Sequence, residues 1–120
     1  MAQAKILVID DDPVCTGLVL AILGDEYLVM TANSGEGAIE LLSNLTPDLI
    51  FLDITMPDIN GYQVLKQVKA KTNTSNIPVV VISSLAEASD QEFAIKLGAD
   101  DYLTKPILPD AVQRVLTKFL

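Results

Sequence analysis

Short apolar runs alternate along the chain with longer segments of mixed polarity. The runs cover residues 6–9, 27–32, 49–52, 79–82 and 102–104, and several are rich in Val and Ile. Runs of this length with apolar residues on both faces are typical of parallel strands that helices cover on both sides. The pattern therefore predicts five strands, most of them buried.

The intervening segments carry the spacing of amphipathic helices. Apolar residues recur at i, i+3, i+4 and i+7 in two of these segments: Ala38, Leu41, Leu42 and Leu45, and then Val112, Val115, Leu116 and Phe119. This spacing places the apolar residues on one face of a helix. Helices are therefore predicted between the strands and after the last strand.

Local signals predict where some of the helices begin and end. Asp12 directly precedes Pro13, which is typical of an N-cap followed by a proline in the first helical turn. Asp110 is expected to precede the last helix. Gly24 and Gly98 are expected to end the first and fourth helices, because glycine readily adopts the backbone conformation found there.

Repeated alternation of strand and helix predicts an α/β fold, in which helices cover both faces of a five-stranded parallel sheet. The flavodoxin-like, doubly wound order 2-1-3-4-5 is the common small version of this fold, although the pattern alone does not fix the order. The chain is too short for an eight-unit barrel. We expect a single domain over residues 1–120, either standing alone or belonging to a longer protein.

Composition and charge exclude several classes of function. The 120 residues include 16 acidic and 8 basic side chains, so the formal net charge is −8. This acidity argues against direct binding to nucleic acid or to an anionic membrane surface. The absence of histidine excludes histidine metal sites, Ser–His catalysis and a role as a phosphohistidine carrier. A single cysteine, Cys15, excludes an intramolecular disulfide and favours a reducing compartment such as the cytoplasm.

The carboxyl ends of parallel strands meet at one edge of a sheet, where ligands bind. The predicted strands bring acids, a hydroxyl and a lysine to that edge: Asp10, Asp11, Asp12, Asp53, Ser83 and Lys105. Two carboxylates about 4 Å apart repel each other by about 4 kcal/mol at an effective dielectric constant of about 20. The acids therefore need a cation, and oxygen ligands without histidine or cysteine favour Mg²⁺, with Mn²⁺ as a substitute.

A metal ion and a lysine on either side of a carboxylate suit phosphoryl transfer. Both positive charges stabilise the oxygens of a transferring phosphoryl group. The carboxylate can itself act as the nucleophile and form an aspartyl-phosphate. The residues at the strand ends therefore predict a site for phosphoryl chemistry.

Four segments make the chain resemble the receiver domain of two-component response regulators, including the stand-alone receivers of the chemotaxis type. They are ILVIDDDP, FLDITMPDINGYQVL, PVVVISS and LGADDYLTKP, and the resemblance covers essentially the whole chain. It implies that Asp53 is the phosphoacceptor. It implies further that Asp11 binds Mg²⁺ directly, that Asp10 acts partly through water, and that Asp53 and the backbone carbonyl of Thr55 are ligands as well.

The resemblance also implies which residues respond to phosphorylation. Ser83 is expected to supply a hydroxyl that moves towards the phosphoryl group, and Tyr102 is expected to turn inward when Ser83 moves. Lys105 is expected to contact the phosphoryl group, and its peptide bond to Pro106 is expected to be cis.

The function that this resemblance implies is signalling. A sensor histidine kinase or a histidine phosphotransfer protein would donate the phosphoryl group, and the surface of helix four, strand five and helix five would contact a downstream effector. Such a domain is not an enzyme in the usual sense, although it slowly hydrolyses its own aspartyl-phosphate.

Three other functions are compatible with parts of the pattern. A phosphatase that forms an aspartyl-phosphate is one, but such enzymes typically carry a second acid at the position of Thr55. A mononucleotide or flavin carrier is another, but no glycine-rich phosphate-binding motif occurs. A receiver-like binding module that works without phosphorylation is the third, and the complete set of site residues argues against it.

Other acidic residues have simpler interpretations. Asp12 is interpreted as a helix cap rather than as a metal ligand, because Asp before Pro is a common helix start. Asp100 and Asp101 are expected to form a solvated acidic pair, for which Arg114 and Lys118 are possible partners.

Overall fold

The structure is a computed structural model that describes residues 3–54, 56 and 60–120. Within these ranges the strands are β1 (Lys5–Ile9), β2 (Leu28–Ala32), β3 (Leu49–Asp53), β4 (Val79–Ser83) and β5 (Asp101–Thr104). The helices are α1 (Pro13–Leu23), α2 (Gly35–Leu42), α3 (Gly61–Ala70), α4 (Ala88–Lys96) and α5 (Pro109–Phe119). Among the described residues, no helix has both the length and the apolar character needed to span a membrane.

The five strands join one parallel sheet in the order β2-β1-β3-β4-β5, which confirms the predicted fold and strand order. Ile9 pairs with Leu52, and Asp53 pairs with Ile82, so the ends of β1, β3 and β4 lie side by side. This register brings the residues that end or follow these strands to one edge of the sheet.

Helices cover both faces of the sheet, and each face has its own apolar core. One core joins α1 and α5 to the sheet and includes Ile6, Val8, Phe51, Val80, Ile82, Val112 and Val115. The other joins α2, α3 and α4 to the opposite face and includes Leu7, Ile9, Ile50, Leu52, Val64, Leu65 and Val81. Successive side chains of a strand point to opposite faces, so strands buried on both sides need the continuous apolar runs seen in the sequence.

Most of the predicted helix boundaries are confirmed. Asp12 is the N-cap of α1, and its side chain accepts a hydrogen bond of 3.0 Å from the N–H of Val14. Gly24 follows α1 with a φ of 62°, and Gly98 follows the C-cap of α4 with a φ of 118°. Side chains with a Cβ atom rarely adopt such angles, which explains glycine at both ends.

The start of α5 differs from the prediction. The helix begins at Pro109 with Leu108 as its N-cap, so Asp110 lies inside the first turn rather than before it. Pro109 sets the start, because its ring fixes φ near the helical value and it lacks an N–H that would be left unpaired there. Asp110 still stabilises the helix, since a negative charge interacts favourably with the N-terminal end.

Asp100 is exposed, as the sequence predicts, but Asp101 is half-buried, and basic residues of other elements pair with both acids. Asp100 Oδ2 accepts a hydrogen bond of 2.8 Å from Lys69 Nζ in α3. Asp101 Oδ2 lies 3.3 Å from a guanidinium nitrogen of Arg114 and 3.6 Å from Lys118 Nζ, both in α5. The two carboxylates therefore tie the start of β5 to the helices on both faces of the sheet.

Candidate functional site

Three carboxylates meet at the edge of the sheet where β1 and β3 end side by side. Asp10, Asp11 and Asp53 each offer one oxygen, and these oxygens lie within 4.8 Å of one another. Asp10 and Asp53 are buried, with exposed fractions of 2% and 3%, whereas Asp11 is exposed. The structure thus brings together the three acids that the sequence predicts as metal ligands.

Asp10 gives the clearest sign that this cluster can hold a cation. Its Oδ1 accepts a hydrogen bond of 2.9 Å from the N–H of Asp12, but its buried Oδ2 accepts none from the part of the chain that the structure describes. The Lys105 ammonium lies 3.3 Å from this oxygen and compensates part of its charge, and a bound metal ion would stabilise the clustered acids further. The atoms that could bind a metal here are carboxylate oxygens, which suit Mg²⁺ better than a softer metal ion.

Lys105 places a positive charge between the two buried acids. Its Nζ lies 3.3 Å from Asp10 Oδ2 and 3.6 Å from Asp53 Oδ1. Burial alone would lower the pKa of Lys105, but the charges of Asp53 and Asp10 outweigh burial and raise this pKa above its usual value. Lys105 is therefore an ammonium ion at neutral pH. The peptide bond between Lys105 and Pro106 is cis, as predicted.

The side chains of Ser83 and Tyr102 both form hydrogen bonds with the backbone of Leu85, which lies in the segment between β4 and α4. Ser83 Oγ accepts a hydrogen bond of 3.0 Å from the N–H of Leu85, and Ser83 is almost completely buried. Tyr102 Oη donates a hydrogen bond of 2.8 Å to the Leu85 carbonyl oxygen, and the Tyr102 side chain points inward. Tyr102 is already inward while Ser83 is bonded to Leu85, and a movement of Tyr102 coupled to Ser83 stays a prediction.

The first turn of α3 packs directly against the backbone at the end of β3. The N–H of Gly61 donates a hydrogen bond of 2.7 Å to the Ile54 carbonyl oxygen. A Cβ atom on Gly61 would collide with the carbonyl oxygen of Asp53 and with Cα of Ile54. Asn60 and Gln63 stabilise this turn through a reciprocal capping box. Sequence reasoning misses the close approach at Gly61, because a glycine in a turn does not show which backbone it touches.

Cys15 lies beside the acid cluster, and the sequence assigns no chemistry to it. Burial, and then the neighbouring Asp10 carboxylate, raise the pKa of the Cys15 thiol to about 12. The thiol is therefore protonated at neutral pH and is a poor nucleophile. This agrees with its place in the core that α1 and α5 form with the sheet.

Two further candidates, Thr55 and Asp12, have different outcomes. Thr55, whose backbone carbonyl is predicted to bind the metal, lies outside the described residues. Asp12 uses its side chain to cap α1 and does not belong to the group of acids that could share an ion within the described ranges. The interpretation of Asp12 as a cap is therefore confirmed.

Known proteins with similar sequences and folds agree with this geometry. PilH of Pseudomonas aeruginosa is 31% identical over 119 residues, and the match covers 98% of each chain. A probable cyclic di-GMP phosphodiesterase of Vibrio cholerae is 36% identical over 118 residues, but the chain spans only 27% of that protein's length. The receiver domain of the sensor histidine kinase PA1611 from P. aeruginosa has a TM-score of 0.89 and 28% identity over 98% of each chain. That structure holds a magnesium ion coordinated in its active-site cleft.

A family model extends the agreement to nearly the whole chain. The model of the response regulator receiver domain matches residues 6–117. This range includes the strand ends that carry the acid cluster, Ser83 and Lys105. Receiver domains are modules of two-component signalling, and they bind Mg²⁺ at an acidic pocket of this kind. The sequence motifs, the order of the strands and the family match thus lead to one conclusion: the chain belongs to the response regulator receiver domain family.

Proposed function

We propose that phosphorylation of Asp53 switches this domain, with a sensor histidine kinase or a histidine phosphotransfer protein as the donor. The position of the Asp53 carboxylate carries the proposal. This carboxylate ends a buried central strand, lies within 4.8 Å of oxygens of Asp10 and Asp11, and is 3.6 Å from Lys105 Nζ. Such surroundings suit a phosphoryl acceptor, because positive charge on both sides stabilises the transferring oxygens.

In the proposed transfer, Asp53 is the nucleophile. One of its carboxylate oxygens attacks the phosphorus atom of the donor's phosphohistidine, and the P–N bond breaks. The histidine nitrogen leaves with the bonding electrons and takes up a proton. The product is an aspartyl-phosphate that carries about two negative charges. Slow attack by water returns the carboxylate and releases phosphate, so the modification is transient.

Asp10, Asp11 and Asp53 are the side chains that would hold Mg²⁺, together with the backbone carbonyl of Thr55. When bound, the ion supplies positive charge to the phosphoryl oxygens. Asp10 would contribute through its buried Oδ2, which lies 3.3 Å from Lys105 Nζ and makes no well-aligned hydrogen bond among the described residues. Mn²⁺ is expected to substitute for Mg²⁺, because it also prefers oxygen ligands.

Lys105 would hold the phosphoryl group from the other side. Its raised pKa keeps the side chain charged across the physiological pH range. Its Nζ already lies near the Asp53 carboxylate, and phosphoryl oxygens on Asp53 would offer it charge-assisted hydrogen bonds. We therefore expect Lys105 to move from the Asp10 carboxylate towards the phosphoryl group.

Ser83 and Tyr102 would transmit the change through Leu85. The Ser83 hydroxyl accepts a hydrogen bond from the N–H of Leu85, so its own proton can be donated to a phosphoryl oxygen. Turning towards the phosphoryl group would weaken its hold on Leu85. The Tyr102 hydroxyl would keep its hydrogen bond to the Leu85 carbonyl oxygen. The segment between β4 and α4 would shift around that contact.

The surface of α4, β5 and α5 is the proposed contact for a downstream effector. On α4, Phe93 and Ile95 leave 50% and 48% of their surfaces exposed, and α4 directly follows the Leu85 segment. A shift at Leu85 would therefore move exposed apolar side chains that a protein partner can bind. The net charge of −8 makes a protein partner a better candidate than nucleic acid.

The donor is proposed to contact α1. This helix has no charged residue, exposes 77% of Val14 and 39% of Leu18, and begins directly after the acid cluster. Val14 and Leu18 line one depression with Lys105, Pro106 and Ile107. Apolar side chains around a charged centre form the arrangement that protein interfaces commonly use.

We further propose that residues 1–120 form one domain that acts in the cytoplasm. The single cysteine is compatible with a reducing compartment. PilH is matched over almost its whole length and the probable phosphodiesterase over a quarter, so both a stand-alone receiver and a domain of a larger regulator have precedent.

Incubation with Mg²⁺ and acetyl phosphate tests the phosphoacceptor. The protein should gain one phosphoryl group by intact mass, and Asp53→Asn should abolish the gain. Asp12→Asn is the matched control, because Asp12 caps α1 and lies outside the acid cluster. Modification of Asp53→Asn at the normal rate would disprove the assignment, and so would an unmodified parent protein that binds Mg²⁺ normally.

A further inference from the structure

Among the described helices, α4 is the one that the core holds least firmly. Ala94 is its only buried residue, whereas each of the other four helices buries at least three. Its N-cap residue, Glu87, makes no capping hydrogen bond with its side chain. Few buried contacts and an uncapped end are typical of elements that open or shift at low cost. Individual contacts outside the core therefore matter more for α4 than for its neighbours.

One such contact joins α4 to α3 through two aromatic rings. Phe93 of α4 and Tyr62 of α3 have ring centroids 4.8 Å apart and an interplanar angle of 76°, which is an edge-to-face arrangement. Phe93 is half exposed, so the core does not determine its position. Edge-to-face pairs are favourable beyond the apolar area that they bury. The ring of Tyr62 thus provides α4 with an anchor outside the core.

Tyr62 is adjacent in sequence to the residue that packs on the backbone of the proposed phosphoacceptor. It directly follows Gly61, whose backbone packs without any spare room on the carbonyl oxygen of Asp53 and on Ile54. A displacement at the end of β3 must therefore displace the first turn of α3. Tyr62 packs against the core that contains Tyr102, and burial, followed by the charges of Tyr102 and Asp90, raises the pKa of Tyr62.

We infer that the contact between the rings of Tyr62 and Phe93 couples the position of α4 to the Asp53 site. This inference rests on the proposed function. The coupling runs from the backbone of Asp53 through Gly61 to Tyr62, and then across the rings to the middle of α4. It is separate from the route through Ser83 and Leu85, which acts on the segment before α4 by hydrogen bonds.

The two routes have different physical characters, and this makes them separable. The route through Leu85 consists of hydrogen bonds to a backbone N–H and a backbone carbonyl. The route through Tyr62 consists of close packing and a ring contact, so replacing one ring by an aliphatic side chain should remove it. By linkage, a contact that makes α4 sensitive to the state of Asp53 must also change the affinity of the Asp53 site for a phosphoryl mimic.

Hydrogen exchange of the α4 amides measures how firmly the helix is held. Phe93→Ala should speed exchange in α4 by about two- to tenfold, which corresponds to the loss of one aromatic pair. The amides of α5 should be unaffected. Ile95→Ala is the matched control, because Ile95 lies on the same helix with almost the same exposure and makes no ring contact within the described residues. Tyr62→Leu should reproduce the effect of Phe93→Ala, and the double variant should add little to either single change.

Titration with beryllium fluoride in saturating Mg²⁺ measures the coupling to the site. Phe93→Ala and Tyr62→Leu should each change the affinity for beryllium fluoride by about two- to tenfold, while Ile95→Ala leaves it unchanged. Thermal unfolding would be recorded for every variant, so that a general loss of stability is recognised. Should Tyr62→Leu fold poorly, Phe93→Leu supplies the same test from the exposed side of the pair.

The outcomes separate this inference from the proposed function. A parent protein that binds Mg²⁺ but neither beryllium fluoride nor a phosphoryl group would overturn the proposed function. A parent that binds the mimic, with affinities unchanged in Phe93→Ala and Phe93→Leu, would overturn the coupling alone, whatever the exchange rates. Additive effects of Tyr62→Leu and Phe93→Ala on exchange would likewise show that the rings act independently.

Discussion

Helices α3 and α4 cover the same face of the sheet, and each follows a strand that ends in the proposed site, yet they are held very differently. α3 follows β3 and Asp53, buries Gly61, Val64, Leu65 and Val68, and begins with a capping box. α4 follows β4 and Ser83, buries only Ala94, and has no capping hydrogen bond from its N-cap side chain. β3, which carries Asp53, thus leads into a firmly anchored helix, and β4, which carries Ser83, leads into a loosely anchored one.

This difference matches what the two regions are proposed to do. A nucleophile and its metal ligands must be held within fractions of an ångström of the reacting atom, which requires a rigid support. A switching element must instead have a second position that costs little more than the first. The division between α3 and α4 shows how one sheet edge can meet both demands with neighbouring strands.

The largest loss of stability is expected from a cavity in the core beneath α3. Leu65 is fully buried, so Leu65→Ala should lower the free energy of unfolding by about 2–5 kcal/mol through lost burial and a cavity. The equivalent truncation on α4, Ile95→Ala, should change it by less than about 0.5 kcal/mol, because Ile95 is 48% exposed. Urea unfolding of both variants tests the contrast. Similar losses in the two variants would show that α4 is as firmly held as α3.

The next effect should come from the close approach at Gly61. Gly61→Ala should cost about 1–3 kcal/mol, because the added methyl group meets backbone atoms of Asp53 and Ile54 that cannot turn away. Gly17→Ala in α1 is the control, since a Cβ atom there has no neighbour within 4 Å. It should stabilise the helix by about 0.5–1 kcal/mol. Thermal unfolding distinguishes the two, and a harmless Gly61→Ala would mean that α3 does not press on β3.

A metal-binding experiment tests the acid cluster at the ends of β1 and β3. Asp11→Asn should weaken Mg²⁺ binding by about tenfold or more, because it removes a charged ligand from the cluster. Asp12→Asn should leave Mg²⁺ affinity nearly unchanged and cost at most about 1 kcal/mol of stability, because Asp12 caps α1. In the parent protein, Mg²⁺ should raise the melting temperature. Calorimetric titration measures both affinities. A greater loss of Mg²⁺ affinity in Asp12→Asn than in Asp11→Asn would show that Asp12 is the ligand.

Much of the fold could be predicted because its determinants are local. β1, β3 and β4 are buried on both faces, so their apolar runs stand out from the sequence, and glycine and Asp–Pro signals mark the ends of α1. The acid cluster could be predicted for the same reason, since parallel strands bring their carboxyl ends to one edge. The predicted start of α5 is wrong because Pro109, whose ring fixes φ near the helical value, begins the helix before Asp110.

The features that sequence reasoning missed depend on partners from distant elements. The ion pair of Asp100 with Lys69 is one of them, because nothing in the sequence places a lysine of α3 beside the start of β5. Phe93 has the pattern of a surface residue on α4, and its contact with Tyr62 follows only from the packing of two helices. No periodicity in the sequence distinguishes such contacts, because they connect side chains that are half exposed.

The smallest effect, and the most direct comparison of the two helix starts, concerns their N-caps. Asn60 Oδ1 accepts a hydrogen bond of 3.1 Å from the N–H of Gln63, and Gln63 Oε1 accepts one of 3.2 Å from the N–H of Asn60, whereas the Glu87 side chain makes no capping bond. Asn60→Ala should therefore cost about 1 kcal/mol, and Glu87→Ala less than about 0.5 kcal/mol. Hydrogen exchange should locate the first loss in the opening turn of α3, beside Gly61. Equal costs would show that the start of α4 is held by a contact of Glu87 other than a cap, and the contrast between the helices would then rest on burial alone.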